Sequence, residues 1–418
     1  MDIKDYVLEL ARGAREASRG LAALSTEEKN TGLEAMARAL EEKIADIRSA
    51  NEQDVEKGKK AGLSSALVDR LTLTEARFEK MVDGVRAIIE LPDPVGEVMR
   101  EWKRPNGLVI SKVRVPLGVI CMIYESRPNV TVDASSLCLK SGNAAILRGG
   151  KEALATNRAL ASVMSGALEE SDVPGSAVCM IETPDRSAVD ELLKLDEYID
   201  VVIPRGGEGL IRAVVDKSRI PVIKHYRGNC HVYIDGAADL DMAKEIIVNA
   251  KCQRPGVCNA METLLVHRGI AEKLLPDVAR LLLERNVELR GCPATLKIVG
   301  EAGPARESDW REEYLDLILA VRVVEGLDEA IEHIEEYGSR HSDAIVTEDE
   351  AAAQAFLKRV DSATVFWNCS TRFSDGGEFG FGAEIGISTD KIHARGPMAL
   401  EELTTYKYIV RGSGQVRS

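Results

Sequence analysis

Residues 118–124 read Gly118, Val119, Ile120, Cys121, Met122, Ile123 and Tyr124, with no charged residue to give the run a wet face. A short continuous apolar run bounded by turns is the texture of a strand covered on both sides, as in a parallel sheet with helices above and below. The pattern recurs. A helix-like stretch leads to Gly142 and Asn143, a strand over 144–147, then Arg148, Gly149, Gly150 and Lys151 ahead of another helix. A second unit follows, with strand 178–181, helix 185–195, strand 199–203 and a turn holding Gly206 and Gly207. Repeated strand, turn and helix predict a doubly wound αβ sheet. A further strand is expected at 220–223, and strands at 264–266, 317–324 and 344–346, with helices over 240–250, 271–285, 327–337 and 348–360, predict a second such domain. That fits a chain of 418 residues, too long for one simple core.

Ahead of the first sheet, residues 3–60 repeat apolar positions at helical spacing, and Ser25 with Glu28, then Thr72 with Glu75, form capping-box patterns. Pro92 and Pro94 break this texture. Strands over 98–102 and 108–115 around Asn106 and Gly107 read as a hairpin, and residues 404–410 alternate like an edge strand. A two-stranded ribbon buries too little alone, so it is expected to pack on another domain or subunit. The net charge of −14 argues against nucleic acid or anionic membrane as a general partner. The first residues lack a signal pattern and no apolar run spans a bilayer, so a cytoplasmic protein is expected. Eight scattered cysteines without a CxxC pair suggest neither a disulfide framework nor a zinc site.

Two stretches can carry chemistry. Pro255 and Gly256 break regular structure just before Cys258, and the apolar run 264–266 follows, so the thiol is presented on a turn feeding a strand. Loop N–H groups or a cation such as Arg254 would favour its reactive thiolate form; the alternative is a buried, inert cysteine. The second stretch is Arg148 to Lys151, where strand, glycines, basic residue and helix occur in the order that holds phosphate or ribose at a helix N-terminus. A solvated basic pair capping a loop is the alternative. GxGxxG is absent, so a standard dinucleotide fingerprint is not present.

The order of these segments resembles the aldehyde dehydrogenase superfamily over essentially the whole chain. Asn129 stands at that family's catalytic asparagine, residues 142–148 at its cofactor strand, Gly206 and Gly207 at its glycine turn, Cys258 at its nucleophile and Glu313 at its ribose-contacting glutamate. A narrower resemblance, to the γ-glutamyl phosphate reductase family, is carried by residues 324–345, by Tyr226, Arg227, Gly228, Asn229, Cys230 and His231, and by residues 391–397. His225 aligns where hydrolytic aldehyde dehydrogenases carry a glutamate that activates water. Losing that base favours reduction of an acyl phosphate over aldehyde oxidation.

The resemblance implies an α/β, aldehyde dehydrogenase-like fold of two doubly wound αβ domains plus a small β oligomerisation arm. The cofactor domain is expected over residues 1–97 and 118–227, the catalytic domain over 228–393, and the arm over 98–117 and 394–418. The implied activity is NADPH-dependent reduction of L-glutamate 5-phosphate to L-glutamate 5-semialdehyde through a thioester on Cys258, with Asn129 holding the oxyanion. Arg148, Gly149, Lys151, Gly206, Gly207 and Glu313 would bind NADPH, the two cations reading the ribose and its 2′-phosphate. Arg127, Arg227, Arg254, His341 and Arg372 are candidates for the substrate's phosphate and carboxylate. His225 can also be an ordinary core histidine. No metal is expected; a homo-oligomer is, and the pathway that the resemblance implies makes glutamate 5-kinase a candidate partner. The rivals are an aldehyde-oxidising enzyme of the same fold, an acyl-CoA reductase, and a binding protein that has lost catalysis.

Overall fold

A computed structural model describes residues 2–417. The chain divides into two compact units, one made of Met1–Lys224, Gly380–Gly386 and Met398–Ser418, the other of His225–Phe379 and Ile387–Pro397. The glycine-rich loop and the β arm thus group with the first unit.

The first unit opens with helices α1 (Ile3–Leu21), α2 (Thr26–Glu42), α3 (Ile44–Lys60), α4 (Ser65–Leu71) and α5 (Glu75–Glu90). Ser25 and Glu28 form the expected reciprocal capping box on α2. For α5 the cap is Thr74, whose hydroxyl accepts the Arg77 N–H, two residues beyond the Thr72 expected from the pattern. Strands β1 (Val98–Lys103) and β2 (Val109–Pro116) form the antiparallel hairpin, with Gly107 at φ 89° in its turn.

The parallel core of this unit is β3 (Val119–Tyr124), α6 (Asn129–Lys140), β4 (Ala144–Arg148), α7 (Leu154–Glu170), β5 (Val178–Met180), α8 (Ser187–Leu192), β6 (Val201–Arg205) and α9 (Glu208–Lys217). Every residue of β3 is buried, as its unbroken apolar run requires. The sheet runs β5-β4-β3-β6, all parallel. Strand order therefore reverses beside β3, and the carboxyl ends of β3 and β6 flank the place where open αβ sheets bind ligands. The strand expected over 220–223 is reduced to one bridge, Val222 with Val202; Pro221, lacking an N–H, cannot extend a ladder.

The second unit holds β7 (Cys230–Ile234), α10 (Leu240–Cys252), β8 (Met261–His267), α11 (Arg268–Leu283), β9 (Glu288–Gly291), α12 (Pro293–Ile298), β10 (Gly303–Pro304), β11 (Ile318–Val324), α13 (Leu327–Tyr337), β12 (Ser342–Val346), α14 (Glu350–Arg359) and β13 (Thr364–Trp367). Its sheet is parallel throughout, in the order β10-β9-β11-β8-β7-β12-β13. Alternate residues of each strand face opposite layers. Val232, Leu264, Val266, Val321 and Ala344 join the core with α10 and α11, whereas Tyr233, Leu265, Val324 and Ile345 join the one with α13 and α14. This two-sided burial makes the sheet doubly wound.

After two short strands, β14 (Gly386–Ser388) and β15 (Gly396–Met398), the chain ends in β16 (Thr404–Arg411). It pairs antiparallel with the whole of β2, giving a three-stranded sheet β1-β2-β16. Tyr406, Tyr408 and Val410 are exposed on this edge strand. Among the described residues no helix is long and apolar enough to cross a membrane.

One buried charge pair ties α10 to β8. Lys251 Nζ donates to Glu262 Oε2 at 2.5 Å, and both side chains are wholly buried. Burial pushes Glu262 up, to about 7, and pushes Lys251 down; their mutual attraction opposes both shifts. Removing one partner strands the other charge. Lys251→Met is expected to destabilise the protein by about 3–5 kcal/mol, and Lys251→Met with Glu262→Leu by much less; urea unfolding of the three proteins checks this.

Candidate active site

Cys258 lies on the turn between the end of α10 and the start of β8, as Pro255 and Gly256 dictate. His225 precedes β7, and His341 immediately precedes β12. Because β8, β7 and β12 are adjacent and parallel, the three segments enter the sheet from the same end and meet there. One nitrogen of each histidine and the Cys258 sulfur lie within 4.8 Å of one another.

Backbone geometry fixes this meeting. A Cβ on Gly228 would stand 2.0 Å from the Cys258 carbonyl oxygen, so only glycine lets the two chains approach. Cys230 Sγ donates to that carbonyl at 3.1 Å, and the Gly228 N–H donates to Glu313 Oε1 at 2.8 Å. Arg340 adopts φ 61°, a left-handed turn just before His341. His341 is fully buried, its Nδ1 2.9 Å from Ser342 Oγ. His225 Nδ1 is 2.7 Å from the Ile387 carbonyl, which makes that nitrogen the N–H donor and leaves Nε2 for the thiol. The two imidazoles meet edge to face at 5.3 Å.

The electrostatic consequence falls on the sulfur. Burial pushes the Cys258 thiol up, but the charge of His341 and the contacts from His225 and His341 outweigh it and hold the thiol well below its ordinary value. The largest causes that lower it are the two histidines rather than Arg254, the cation expected from the sequence. His341, expected among the anion-binding residues, stands beside the thiol, and His225 is part of the same cluster. Burial pushes the Glu313 carboxyl up, the Gly228 N–H pulls it back, and the neighbouring Cys258 adds to the rise. Glu313 thus sits in the electrostatic neighbourhood of the thiol.

Among the arginines, Arg372 is half-buried beside the same turn. Its Nε donates to Gln253 Oε1 at 2.9 Å and its Nη1 to Asn259 Oδ1. Burial lowers its pKa first, and the charge of nearby Arg254 lowers it further. Two cations this close, with Arg254 exposed, suit an anionic ligand. Arg227 is exposed, its Nη1 on the Arg311 carbonyl at 3.2 Å. Glu262 and Lys251, which the sequence reading passed over, support the site from behind: Glu262 Oε1 accepts the Leu315 N–H at 3.2 Å and so anchors the loop that carries Glu313. A lone carboxylate heading the apolar run of β8 was the available signal.

The remaining candidates belong to the first unit. Arg127 is exposed on the turn after β3, and Asn129, also exposed, opens α6. Asn129 Nδ2 donates to Asp133 Oδ2 at 2.9 Å, one helical turn on, while burial pushes Asp133 up to about 6. Arg148 ends β4 and folds back, Nη1 on the Gly149 carbonyl and Nη2 on that of Pro184 at 3.3 Å. Lys151 is exposed in the next turn. A Cβ on Gly149 would stand 2.1 Å from Asn157 Nδ2, and one on Gly206 2.6 Å from Glu125 Cδ. Gly207 caps α9, its N–H donating to Glu125 Oε2 at 3.1 Å. Glycine-lined turns, a helix N-terminus and an exposed lysine at the carboxyl ends of β3, β4 and β6 fit a phosphorylated dinucleotide.

The thiol's ionisation is measurable by alkylation with iodoacetamide, since only thiolate reacts appreciably. A lowered pKa means thiolate persists below the usual range, so the Cys258 rate is expected to stay high at neutral pH and fall only on acidification. His341→Asn is expected to move the midpoint upward and slow neutral alkylation on the order of tenfold or more, one pKa unit being a tenfold change in thiolate while ionisation is incomplete. An unchanged profile would remove His341 from this role.

Comparison with known proteins agrees. Residues 4–289 match the Aldehyde dehydrogenase family. The chain is 60% identical over 417 residues to the γ-glutamyl phosphate reductase of Moorella thermoacetica, covering 100% of both. It is 59% identical over 413 residues to that of Carboxydothermus hydrogenoformans, covering 99% of this chain and 100% of the relative. The crystal structure of γ-glutamyl phosphate reductase from Thermotoga maritima matches with a TM-score of 0.97 at 50% identity, over 99% of this chain and 100% of that one. An acetylating aldehyde dehydrogenase from Geobacillus thermoglucosidasius, at 19% identity and a TM-score of 0.71 over 100% and 98% of the two chains, shares the fold. Identity at the higher level, sustained from end to end, goes beyond a common fold: the chain belongs to the γ-glutamyl phosphate reductase family, within the aldehyde dehydrogenase superfamily.

Proposed function

We propose that this protein reduces L-glutamate 5-phosphate to L-glutamate 5-semialdehyde and phosphate with NADPH, the second step of proline biosynthesis from glutamate. The observation that carries the reading is a half-buried Cys258 thiol held low by His341 and His225, which cluster around it. Family membership supplies the substrate class; the relatives at 59–60% identity are named for that reaction.

In this reading the Cys258 thiolate attacks the γ-acyl carbon. The developing oxyanion takes hydrogen bonds from the Cys258 backbone N–H and from Asn129, whose amide spends one N–H on Asp133 and keeps its second. Phosphate leaves with its bonding pair, and a thioester on Cys258 remains. NADPH, when bound, supplies the hydride that converts the thioester to a thiohemiacetal. Collapse of that adduct expels the Cys258 thiolate and releases the semialdehyde. Arg254 and Arg372 hold the substrate's phosphate or α-carboxylate, with Arg127 and Arg227 as further candidates. Lys151, with Arg148 behind it, takes the ribose 2′-phosphate, Gly149, Gly206 and Gly207 let the dinucleotide approach, and Glu313 takes the nicotinamide ribose. The three-stranded arm, with Tyr406, Tyr408 and Val410 exposed, supports assembly into a homo-oligomer.

The test runs the reaction backwards on purified protein. Glutamate semialdehyde with NADP⁺ is expected to give NADPH only when phosphate is present, and coenzyme A is not expected to replace phosphate. Phosphate-independent turnover would favour an oxidising aldehyde dehydrogenase instead. Cys258→Ala is expected to abolish turnover while cofactor binding, read by fluorescence, survives. Lys151→Ala is expected to reduce the preference for NADPH over NADH by on the order of tenfold, about 1.4 kcal/mol; an unchanged preference would take Lys151 out of the cofactor site.

A further inference from the structure

The side chains around Cys258 have a second chemical capacity that the proposed reaction does not use. Two imidazole nitrogens and a sulfur lie within 4.8 Å of one another. In a tetrahedral zinc site, with metal–sulfur near 2.3 Å and metal–nitrogen near 2.0–2.1 Å, neighbouring donors stand roughly 3.3–3.6 Å apart. Adjustments of about 1 Å in side-chain position would close the set around an ion.

Each imidazole is prepared for this. His225 Nδ1 is tied to the Ile387 carbonyl at 2.7 Å, the backbone support that orients a metal-binding histidine. His341 is fully buried, Nδ1 engaged by Ser342, and its Nε2 has no hydrogen-bond partner among the described residues. A buried imidazole nitrogen without a hydrogen bond, beside a sulfur and a second imidazole, is what a missing ligand would satisfy. The three donors come from separate segments held by the sheet, so the set is built before any ion arrives. Cys230 is excluded from it, because its sulfur is engaged by the Cys258 carbonyl at 3.1 Å.

We propose that His225, Cys258 and His341 form a binding site for a borderline-soft divalent metal ion, of which zinc is the type, and that the bound ion inhibits the protein by occupying Cys258. One sulfur and two nitrogens suit zinc or cobalt and not magnesium or calcium, which require oxygen donors. Three protein ligands leave a fourth position open to water or to an anion. On binding, Cys258 and each imidazole that is protonated release a proton to solvent, and one metal–sulfur and two metal–nitrogen bonds form; no redox step is involved. Inhibition rests on Cys258 being the nucleophile proposed above. Binding does not.

Cobalt(II) alone, titrated into the full-length protein, provides the probe. A thiolate-to-cobalt charge-transfer band with tetrahedral d–d bands is expected, saturating near one ion per chain, abolished by zinc and untouched by magnesium. Cys258→Ser is expected to remove the charge-transfer band with the circular dichroism unchanged, and His341→Asn or His225→Asn to weaken cobalt binding by more than the roughly 10–100-fold that loss of a mere outer-shell partner costs. Zinc is expected to protect Cys258, and not Cys252 or Cys369, from iodoacetamide. Cobalt bound without a thiolate band, a band surviving Cys258→Ser, histidine variants that bind as tightly as the parent, or unprotected Cys258 would each overturn the proposal. A protein that shows the cobalt band but no phosphate-dependent turnover would refute the proposed reaction and leave the metal site standing, whereas turnover unaffected by saturating zinc would refute the inhibition.

Discussion

Burial alone would silence the Cys258 thiol. Elsewhere in the chain it does: Cys138 and Cys179 are pushed up to about 12 by desolvation and nothing opposes it. Cys258 experiences the same penalty, and the outcome is reversed only because two imidazoles stand within reach of its sulfur. Everything distinctive about the second unit serves that encounter. Gly228 exists so that the chain entering β7 can lie against the Cys258 backbone, and the left-handed Arg340 turns His341 inward.

The parallel sheet explains why such distant residues meet. In an antiparallel pair, successive strand starts lie at opposite ends; in a parallel sheet every strand start lies at the same end. The segments leading into β8, β7 and β12 are neighbours for that reason alone. The site therefore stands at the amino ends of these strands. The cofactor candidates of the first unit follow the more usual rule, standing at the carboxyl ends of β4 and β6. The buried Lys251–Glu262 pair and the Leu315 N–H fasten the loop bearing Glu313 to the strand that follows the cysteine.

What the sequence exposed and what it hid follow from the range of each interaction. β3 was legible because its residues are all apolar, and the Cys258 turn because Pro255 and Gly256 have one reading. β7 was not, since it begins with Cys230 and His231, polar for a strand yet fully buried among hydrogen-bond partners such as Asp343. Thr74 in place of Thr72 is a two-residue shift between adjacent hydroxyl caps, which local pattern cannot arbitrate. The pairing of His341 with Cys258 was illegible for a stronger reason: it depends on which strands are neighbours, and nothing local to residues 339–343 records that. Arg254 looked the better partner for the thiol because it is close in sequence, and sequence proximity is a poor guide where the sheet assembles the site.

The same cluster bears on what the proposed thioester would meet. Hydrolysis of an acyl-enzyme needs a base free to deprotonate water. His225 has committed Nδ1 to the Ile387 carbonyl and turns its other nitrogen to the sulfur. Glu313, the carboxylate coupled to the thiol, accepts the Gly228 N–H with one oxygen. His225 Nδ1 and one oxygen of Glu313 are therefore committed to backbone groups, which leaves both residues less free to activate water. Under the proposed reaction this has a direct chemical benefit, because an activated carboxylate that reaches the thioester can then be intercepted by hydride before it is lost as free acid.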